Sequence, residues 1–519
     1  MASIQDMKTA TRLEGDLPRR VHEIYQPFVR ETPDQAAFVE GDRTWTYRAF
    51  SDAVDLVAQD LVKLGIRAGD RIMIASENSV ALSAFLFAAS RLDAWPIAAN
   101  PRLSARELDQ IGAHSGARRT FFVAGLSQEA ATHAERHNAS VATIGPFGGI
   151  AVGPLNETTQ PEPVHADGAA QVAALIYTSG TTGNPKGVML SHRNLLSSAA
   201  ISGNLRGIGP GDRIYGVLPM SHIVGFSIVL ISTLMSGATV QLASKYDPEL
   251  LARAIAEEGV TVVYGVPATY QRLLAYKTQK GIAQLTRGRL RFLGVAGAPL
   301  DLDLKRRVEQ EFAVQLSNGY GITECSPGIA AVRSDDPRSD ESVGTVLPGV
   351  EARIRRLDGS PAAPGEVGEL HVRGPNVMLG YYKAPDLTAN VIDRDGWFNT
   401  GDLARFDGPH LFIVGRTKEM IIRSGFNVYP AEVEAVLNSH ERVVQSAVVG
   451  RAVDGNEEVV AFVQLLPGAR PTPAELMAYA GGQLTSYKRP SEIIVLDALP
   501  ASSTGKILKH RLWEAARGA

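Results

Sequence analysis

The segment Thr178-Ser-Gly-Thr-Thr-Gly-Asn-Pro-Lys-Gly187 decides how this sequence is interpreted. Three glycines, several hydroxyl side chains and a lysine follow Val172 to Tyr177, a run with the composition of a buried strand. Glycines let backbone N–H groups turn toward an anion, hydroxyls add donors and lysine adds positive charge. The usual GxxxxGK[ST] pattern does not fit, because Pro185 stands where that pattern has its second glycine. The segment therefore predicts a phosphate-binding loop of another kind.

Length and composition exclude several classes of protein. The 519 residues are 45% apolar, and 52 Lys and Arg against 55 Asp and Glu give a formal net charge of -3. Such a length suggests three or four folding units of about 150 residues. The flat charge balance argues against a nucleic-acid-binding surface. One cysteine, Cys325, excludes an internal disulfide and fits a reducing compartment.

Targeting signals and membrane spans are not expected. Met1 to Arg20 carries charges of both signs and no apolar run, unlike a secretory signal. Ile223 to Ser244 has no charge and is long enough for a bilayer, but its many polar residues favour a buried helix and strand. We therefore predict a cytoplasmic protein without a membrane span.

The N-terminal part alternates strand-like and helix-like patterns. Arg71 to Ala75 and Trp95 to Ala99 read as buried strands, and Val80 to Leu92 between them reads as an apolar helix. This alternation predicts a parallel sheet covered by helices. The stretch from Ile144 to Ala169, rich in Gly and Pro, predicts a connection with surface turns.

The pattern of apolar and polar residues changes after about residue 340. Glu351 to Arg355 and Glu369 to Arg373 alternate with a period of two, which predicts antiparallel strands with one solvent-exposed face, compatible with a small barrel. From about Arg416 a compact α+β unit begins, with a helix start at Pro430 and a capping box at Thr472.

Four further motifs follow the loop in order. They are Tyr320-Gly-Ile-Thr-Glu324, Thr400-Gly-Asp402, Gly415-Arg-Thr-Lys-Glu419 and Ser503-Thr-Gly-Lys506. Together with the loop they resemble the adenylate-forming superfamily, which comprises acyl-CoA synthetases, peptide-synthetase adenylation domains and firefly luciferase. The resemblance extends from about Glu23 to Leu512.

The resemblance implies a fold class and two domains. The class is α/β with an α+β lid: a large N-terminal body of two helix-covered sheets plus a small β-barrel, and a small mobile C-terminal domain. The body would span residues 1–415, with the barrel-like part at about 341–415, and the lid residues 416–519. The lid would swing about a hinge at Lys418 between the two half-reactions.

The implied reaction activates a carboxylic acid with ATP and Mg²⁺ as acyl-AMP, releasing pyrophosphate, and then forms acyl-CoA and AMP with coenzyme A. The implied catalytic residues are Lys506, Glu324, Thr181 and His222, and Glu324 and Thr181 would also hold the metal. The implied nucleotide-binding residues are Thr178, Ser179, Gly180, Thr182, Gly183, Lys186, Gly297, Ala298, Pro299, Asn318, Gly319, Tyr320, Gly321, Thr323, Asp402 and Arg416. Lys418, Gly425, Lys488 and Arg489 would serve coenzyme A.

The acyl pocket is implied to be uncharged and apolar apart from its histidine. Its lining would be His222, Phe226, Tyr264, Val266, Ala296, Gly319, Cys325 and Pro327. The run from Pro219 to Gly225 looks most like aryl-acid ligases of the 4-chlorobenzoate and 4-coumarate type. Medium-chain fatty acids, and loading of a carrier protein in place of coenzyme A, remain open. The expected partners are the acid, ATP and coenzyme A, and the oligomeric state, a homodimer among the options, is also open.

Overall fold

The computed structural model describes residues 17–179, 185–424, 426–453, 456–466, 468–501 and 507–518. Within them the α-helices are α1 (Gln26–Glu31), α2 (Tyr47–Lys63), α3 (Val80–Arg91), α4 (Ala105–Ser115), α5 (Gln128–Arg136), α6 (His192–Leu205), α7 (Ser232–Met235), α8 (Pro248–Ala256), α9 (Pro267–Gln279), α10 (Leu302–Phe312), α11 (Pro385–Ala389), α12 (Pro430–Asn438), α13 (Pro473–Gly481) and α14 (Lys509–Gly518). A π-helix, Val224–Ile231, precedes α7. Of the helices in these ranges, none combines the length and apolar character needed to cross a bilayer.

The strands in the same ranges form five sheets. They are β1 (Ala36–Glu40), β2 (Arg43–Thr46), β3 (Arg71–Ala75), β4 (Trp95–Ala99), β5 (Arg119–Phe122), β6 (Ser140–Thr143), β7 (Gly149–Val152), β8 (Val172–Ser179), β9 (Pro185–Ser191), β10 (Arg213–Gly216), β11 (Thr239–Leu242), β12 (Val262–Gly265), β13 (Phe292–Val295), β14 (Leu316–Gly321), β15 (Gly328–Ala331), β16 (Thr345–Val346), β17 (Glu351–Arg355), β18 (Gly368–Arg373), β19 (Gly380–Tyr381), β20 (Phe398–Asp407), β21 (His410–Arg416), β22 (Ile421–Arg423), β23 (Phe426–Val428), β24 (Val443–Val453), β25 (Asn456–Leu465) and β26 (Glu492–Leu496).

The first sheet has the order β4-β3-β5-β7-β6, with β3 parallel to both β4 and β5. Every residue of β3 is buried, and so are the first eleven residues of α3. This confirms the predicted strand–helix–strand unit. The prediction of a turn-rich connection over Ile144 to Ala169 was wrong at β7, which pairs antiparallel with β5 and β6. Strand β7 has only four residues, too few to show an alternation of apolar and polar side chains in the sequence. It forms because it pairs with a neighbouring strand on each edge.

The second sheet carries thirteen strands in the order β17-β18-β20-β21-β16-β15-β14-β13-β12-β10-β11-β1-β2. Strands β10 to β14 and β1 form its parallel part, and the direction changes within β14. Leu316 to Asn318 pair parallel with β13, whereas Gly319 to Gly321 pair antiparallel with β15. The predicted antiparallel pair is confirmed, with Glu351 opposite Arg373. The carboxyl ends of parallel strands are where α/β folds bind ligands.

Three smaller sheets complete the fold. The first, β19-β9-β8, carries the predicted phosphate loop, and the second is the hairpin of β22 and β23. The third, β24-β25-β26, packs with α12 and α14. Helix α12 begins at Pro430 and buries Val433 and Leu437, and Thr472 caps α13 with Glu475, as predicted. The architecture is the predicted α/β body followed by a small α+β domain.

Candidate active site

The phosphate-loop segment lies on the hairpin of β8 and β9. Strand β8 ends at Ser179 and β9 begins at Pro185, and the pairing sets Thr178 opposite Lys186. Gly180, Thr181, Thr182 and Gly183, which were predicted to bind the nucleotide, lie outside the described residues. The strand register therefore brings together the two flanks of the segment.

Aromatic side chains hold the base of this hairpin. The Tyr177 hydroxyl lies 2.8 Å from Nδ1 of His114, and the Tyr382 amide donates to the carbonyl of Gly187 over 2.8 Å. A Cβ on Gly187 would lie 3.2 Å from Cζ of Tyr177. Gly187 thus permits close packing at the exit of the loop.

Tyr381 connects the loop lysine to the predicted metal ligand. The Tyr381 hydroxyl donates to Oε1 of Glu324 over 2.8 Å, and the Lys186 ammonium lies 5.1 Å from the centroid of the Tyr381 ring. Glu324 sits in a 3₁₀ turn, Thr323–Cys325, which also places Thr323 beside it. Sequence reasoning missed Tyr381, which lies 57 residues from Glu324.

A buried carboxylate marks the predicted ribose position. Asp402, in β20, is 3% exposed; the Tyr320 hydroxyl donates to its Oδ2, and Nε of Arg416 lies 3.1 Å from its Oδ1. Burial, followed by the charge of Asp402, raises the pKa of Tyr320 well above its ordinary value. The tyrosine therefore stays protonated and remains a donor at neutral pH. The structure brings together three residues that the sequence places 82 and 14 positions apart.

Two parallel strands bring the predicted adenine-side residues to one edge. Val295 at the end of β13 pairs with Asn318 in β14. The loop after β13 holds Gly297 at a φ of +86°, and Ala298 and Pro299 beside it are exposed. Asn318 donates from Nδ2 to the carbonyl of Ser342 over 3.3 Å. The loop from Gly297 to Pro299 thus follows β13 beside the segment Asn318 to Tyr320 of β14, and Tyr320 reaches Asp402.

The predicted acyl-pocket residues come from five separate segments. Phe226, 2% exposed, lies on the π-helix that follows His222, and π-helical turns are common at functional sites. Tyr264 is buried in β12 with its ring centroid 5.7 Å from that of Phe292. The remaining predicted lining residues are Val266, Ala296, Gly319, Cys325 and Pro327, in the loops after β12 and β13, in β14 and in the turn after it.

Tight backbone packing surrounds the turn that carries Glu324. A Cβ on Gly321 would collide with the carbonyl group of Pro327, so a larger residue would displace this turn. Cys325 is fully buried, and burial raises the pKa of its thiol well above the ordinary value. A thiol kept protonated in this way is a poor nucleophile.

His222 is held in its neutral form. Burial lowers its pKa from 6.5 to about 4, so the imidazole is uncharged at pH 7. Because the unfolded chain binds a proton here at a higher pH than the folded chain, the folded state loses stability as pH falls from about 6.5 to about 4.

We expect His222→Gln to reduce the difference in the free energy of unfolding between pH 7 and pH 5, measured by urea denaturation at both pH values. The exposed His165 supplies the matched control, and His165→Gln should retain the wild-type difference between the two pH values. An unchanged pH difference in His222→Gln would contradict the buried, neutral state.

The predicted coenzyme A residues lie in or just before the C-terminal domain. Lys418 sits in the 3₁₀ turn Thr417–Glu419, and Gly425 and Lys506 lie outside the described residues. Lys488 forms an ion pair of 2.6 Å with Glu432, and Arg489 donates to the carbonyl of Leu484. Nearby, the half-exposed Phe426 stacks on Tyr487 with 4.7 Å between ring centroids.

A cationic cleft that the sequence did not predict opens at the ends of β3, β4, β10 and β12. Its cavity volume is about 130 Å³, and its lining includes Arg102, Lys245 and Arg272. Arg102 is paired with Glu77 over 2.9 Å, and the Arg272 guanidinium carbon lies 4.7 Å from the centroid of the Tyr246 ring. Three cations against one carboxylate make this cleft suited to an anion.

The described residues contain no group of three His, Cys, Asp or Glu side chains that could hold a metal ion without help. Glu324 offers one carboxylate, with Tyr381 on Oε1. Magnesium in nucleotide-dependent enzymes uses one or two protein carboxylates together with phosphate oxygens and water. Glu324 fits such a shared site.

Comparison with known proteins agrees with this geometry. Residues 25–382 match the AMP-binding enzyme family, and residues 432–506 match the AMP-binding enzyme C-terminal domain. The chain is 36% identical over 487 residues to a feruloyl-CoA synthase of Amycolatopsis sp, covering 92% of this chain and 96% of the relative. It is 30% identical over 558 residues to a long-chain-fatty-acid–CoA ligase of Salmonella typhimurium, with 98% of each chain covered.

The fold matches that of o-succinylbenzoate coenzyme A synthetase from Bacillus subtilis in complex with ATP and magnesium ion. The TM-score is 0.81 at 28% identity, and the match covers 94% of this chain and 99% of the other. The family match spans more than half of the chain and the feruloyl-CoA synthase exceeds 30% identity over most of it. The chain therefore belongs to the AMP-binding, adenylate-forming family of acyl-CoA synthetases, and it is an acid–thiol ligase that uses ATP, Mg²⁺ and coenzyme A.

Proposed function

We propose that the acid activated by this ligase is aromatic, of the hydroxycinnamate or benzoate type. The observation that carries this proposal is the aromatic wall made by Tyr264 and Phe292, together with the buried Phe226 on the π-helix. Flat rings pack well against aromatic side chains in edge or offset arrangements. The similarity to a feruloyl-CoA synthase supports the same class of substrate.

A medium-chain fatty acid is the second candidate. The π-helix beside the pocket, Val224–Ile231, is almost wholly apolar, and one relative is a long-chain-fatty-acid–CoA ligase. A flexible chain would need a long apolar channel and would gain little from ring-to-ring contacts. Substrate comparison separates the two classes.

For the first half-reaction we propose that the chain divides its work among three groups. Lys186 and Thr178, with Ser179, Gly180, Thr182 and Gly183, would bind the phosphates; Glu324 and Thr181 would hold magnesium; and Asp402 and Arg416 would bind the ribose. Magnesium supplies neutralisation of phosphate charge. Tyr320 and the segments Gly297–Pro299 and Asn318–Gly319 would enclose the adenine, with Gly321 allowing the close turn and Thr323 beside the phosphates.

The reacting carboxylate needs positive charge that water cannot screen. We propose that Lys506 supplies it and that the neutral His222 faces the acyl carbonyl. A preorganised cation in a water-excluded site stabilises developing negative charge far better than the same cation in water.

For the second half-reaction we propose a two-domain arrangement, with residues 1–415 as the body, residues 416–519 as the lid and Lys418 at the hinge. The thiol arm would pass Gly425. The phosphates of coenzyme A would meet the cleft of Arg102, Lys245 and Arg272, together with Lys488 and Arg489 of the lid. The support is the excess of positive charge at this cleft.

The test is pyrophosphate release by the purified enzyme with ATP and Mg²⁺, with and without coenzyme A, across benzoates, cinnamates and C4–C12 fatty acids. We expect the highest kcat/KM with an aromatic acid and turnover that requires coenzyme A. A higher kcat/KM for a fatty acid would overturn the aromatic assignment. Discharge of the adenylate by a carrier protein but not by free coenzyme A would overturn the thiol assignment.

A further inference from the structure

A row of polar residues lies along one face of helix α6. Asn194, Ser198, Ser202 and, just after the helix, Arg206 follow one another at intervals of four residues. This spacing places them on one face. Asn194 and the two serines are each less than 7% exposed. Polar groups in such a position need hydrogen-bond partners.

The first member of the row is satisfied and the second is not. Asn194 donates from Nδ2 to the carbonyls of Pro375 and Val377 over 2.7 and 2.8 Å. The Ser198 hydroxyl is buried and has no hydrogen-bond partner among the described residues. It lies 3.7 Å from where a Cβ of Gly328 would stand, directly after the pocket residue Pro327. An unpaired buried hydroxyl is costly and suits a site that a ligand completes.

The far end of the row meets the aromatic wall. Nη1 of Arg206 donates to the carbonyl and hydroxyl of Ser202 over 3.1 and 2.8 Å. The guanidinium carbon lies 5.7 Å from the ring centroid of Tyr264 and 5.6 Å from that of Phe292. Burial raises the pKa of Tyr264, while the charge of Arg206 acts against that rise. The guanidinium therefore caps the two rings that carry the proposed function.

The neighbouring charges leave Arg206 available. Asp212, the nearby carboxylate, is paired with Arg291 over 2.6 Å, and Arg291 also donates to the Arg206 carbonyl. Among the described residues, Nε and Nη2 of Arg206 form no hydrogen bond with the protein. A guanidinium offers five N–H donors in a plane, so several remain for an acceptor.

We propose that Arg206 binds an oxygen substituent at the end of the acyl group remote from the reacting carboxylate, with the Ser202 hydroxyl beside it and the unpaired Ser198 hydroxyl one helical turn further along the same face. The inference rests on the proposed function and narrows it to aromatic acids with a distal hydroxyl or methoxy oxygen. The rings of Tyr264 and Phe292 would pack as one wall beside the ring of such an acid, and Arg206 would supply the donors. An entirely apolar acid would leave these donors unpaired, which a binding site penalises.

The test compares acids of one shape in pyrophosphate-release kinetics: cinnamate, 4-hydroxycinnamate and 4-carboxycinnamate. We expect the wild type to favour 4-hydroxycinnamate over cinnamate, and Arg206→Met to reduce that ratio of kcat/KM values at least tenfold. The KM for ATP should stay within about twofold, and the kcat/KM for cinnamate should not fall, because cinnamate offers no oxygen for Arg206 to bind. Asn204→Ala, an exposed position on the same helical turn, is the matched control.

Ser198→Ala provides a second variant that removes an unpaired hydroxyl and leaves the helix intact. In this variant the ratio of kcat/KM for 4-hydroxycinnamate to kcat/KM for cinnamate should also fall, and the melting temperature should stay unchanged. Equal losses for cinnamate and 4-hydroxycinnamate in Arg206→Met, or an unchanged ratio in both variants, would overturn the proposal. A wild-type preference for 4-carboxycinnamate that depends on Arg206 would overturn the hydroxyl and methoxy class. Failure of the wild type to use any aromatic acid would instead overturn the proposed function.

Discussion

Lys506→Ala is expected to remove adenylate formation almost completely while leaving the second half-reaction in place. Negative charge accumulates where the acid's carboxylate meets the α-phosphate, and an oriented cation in a dry site contributes about 10²–10³ in rate. Attack of a thiol on an acyl-adenylate places its charge elsewhere and needs no cation at that point. The substitution should therefore suppress the first half-reaction and leave the rate of the second unchanged.

Both half-reactions are measured with the same purified variant. Adenylation is followed as acid-dependent exchange of labelled pyrophosphate into ATP, and thioesterification as acyl-CoA formed from supplied acyl-adenylate. Arg470→Ala, an exposed cation of the same domain, should leave both rates at the wild-type level. Parallel loss of both rates in Lys506→Ala would indicate that the residue supports the domain, and the assigned role would be wrong.

Local structure was predictable where a single run of sequence determines it. Strands β3 and β4 have the predicted bounds, because each is a short apolar run closed by residues that end a strand. The capping box at Thr472 was equally predictable, since its two reciprocal partners, Thr472 and Glu475, are only three residues apart. Strand β7 was not, because pairing with β5 and β6 across the sheet determines it.

Site residues within recognised motifs were likewise predictable from the sequence, and those outside such motifs were not. Resemblance of short motifs identified Asp402, Tyr320 and Arg416, and the structure brings these three together. Tyr381 was missed, because it contacts a residue 57 positions away and belongs to no recognised motif. For the proposed role of Arg206 a signal existed in the sequence: Asn194, Ser198 and Ser202 precede it at intervals of four residues. The prediction of an acyl pocket without charge considered only the motif segments, and the proposed role of Arg206 departs from it.

Asp402→Ala is expected to weaken the use of ATP more than any other substitution in the nucleotide pocket. The carboxylate is 3% exposed and engages both Tyr320 and Arg416. Its loss removes the proposed acceptor for the ribose and leaves a buried hydroxyl and a guanidinium without their partner. Hydrogen bonds to charged groups contribute about 1.5–3 kcal/mol each. We therefore expect the KM for ATP to rise at least tenfold, with the KM for the acid nearly constant.

Tyr320→Phe tests the same carboxylate from the other side. It removes the hydroxyl donor and keeps the ring, so the KM for ATP should rise by a smaller factor than in Asp402→Ala. Asp407→Ala, an exposed carboxylate at the end of the same strand, is the matched control and should behave as the wild type. Unchanged ATP kinetics in Asp402→Ala, with the protein folded by its melting temperature, would contradict the ribose assignment. A rise in the KM for the acid alone would instead place this carboxylate at the acyl side of the site.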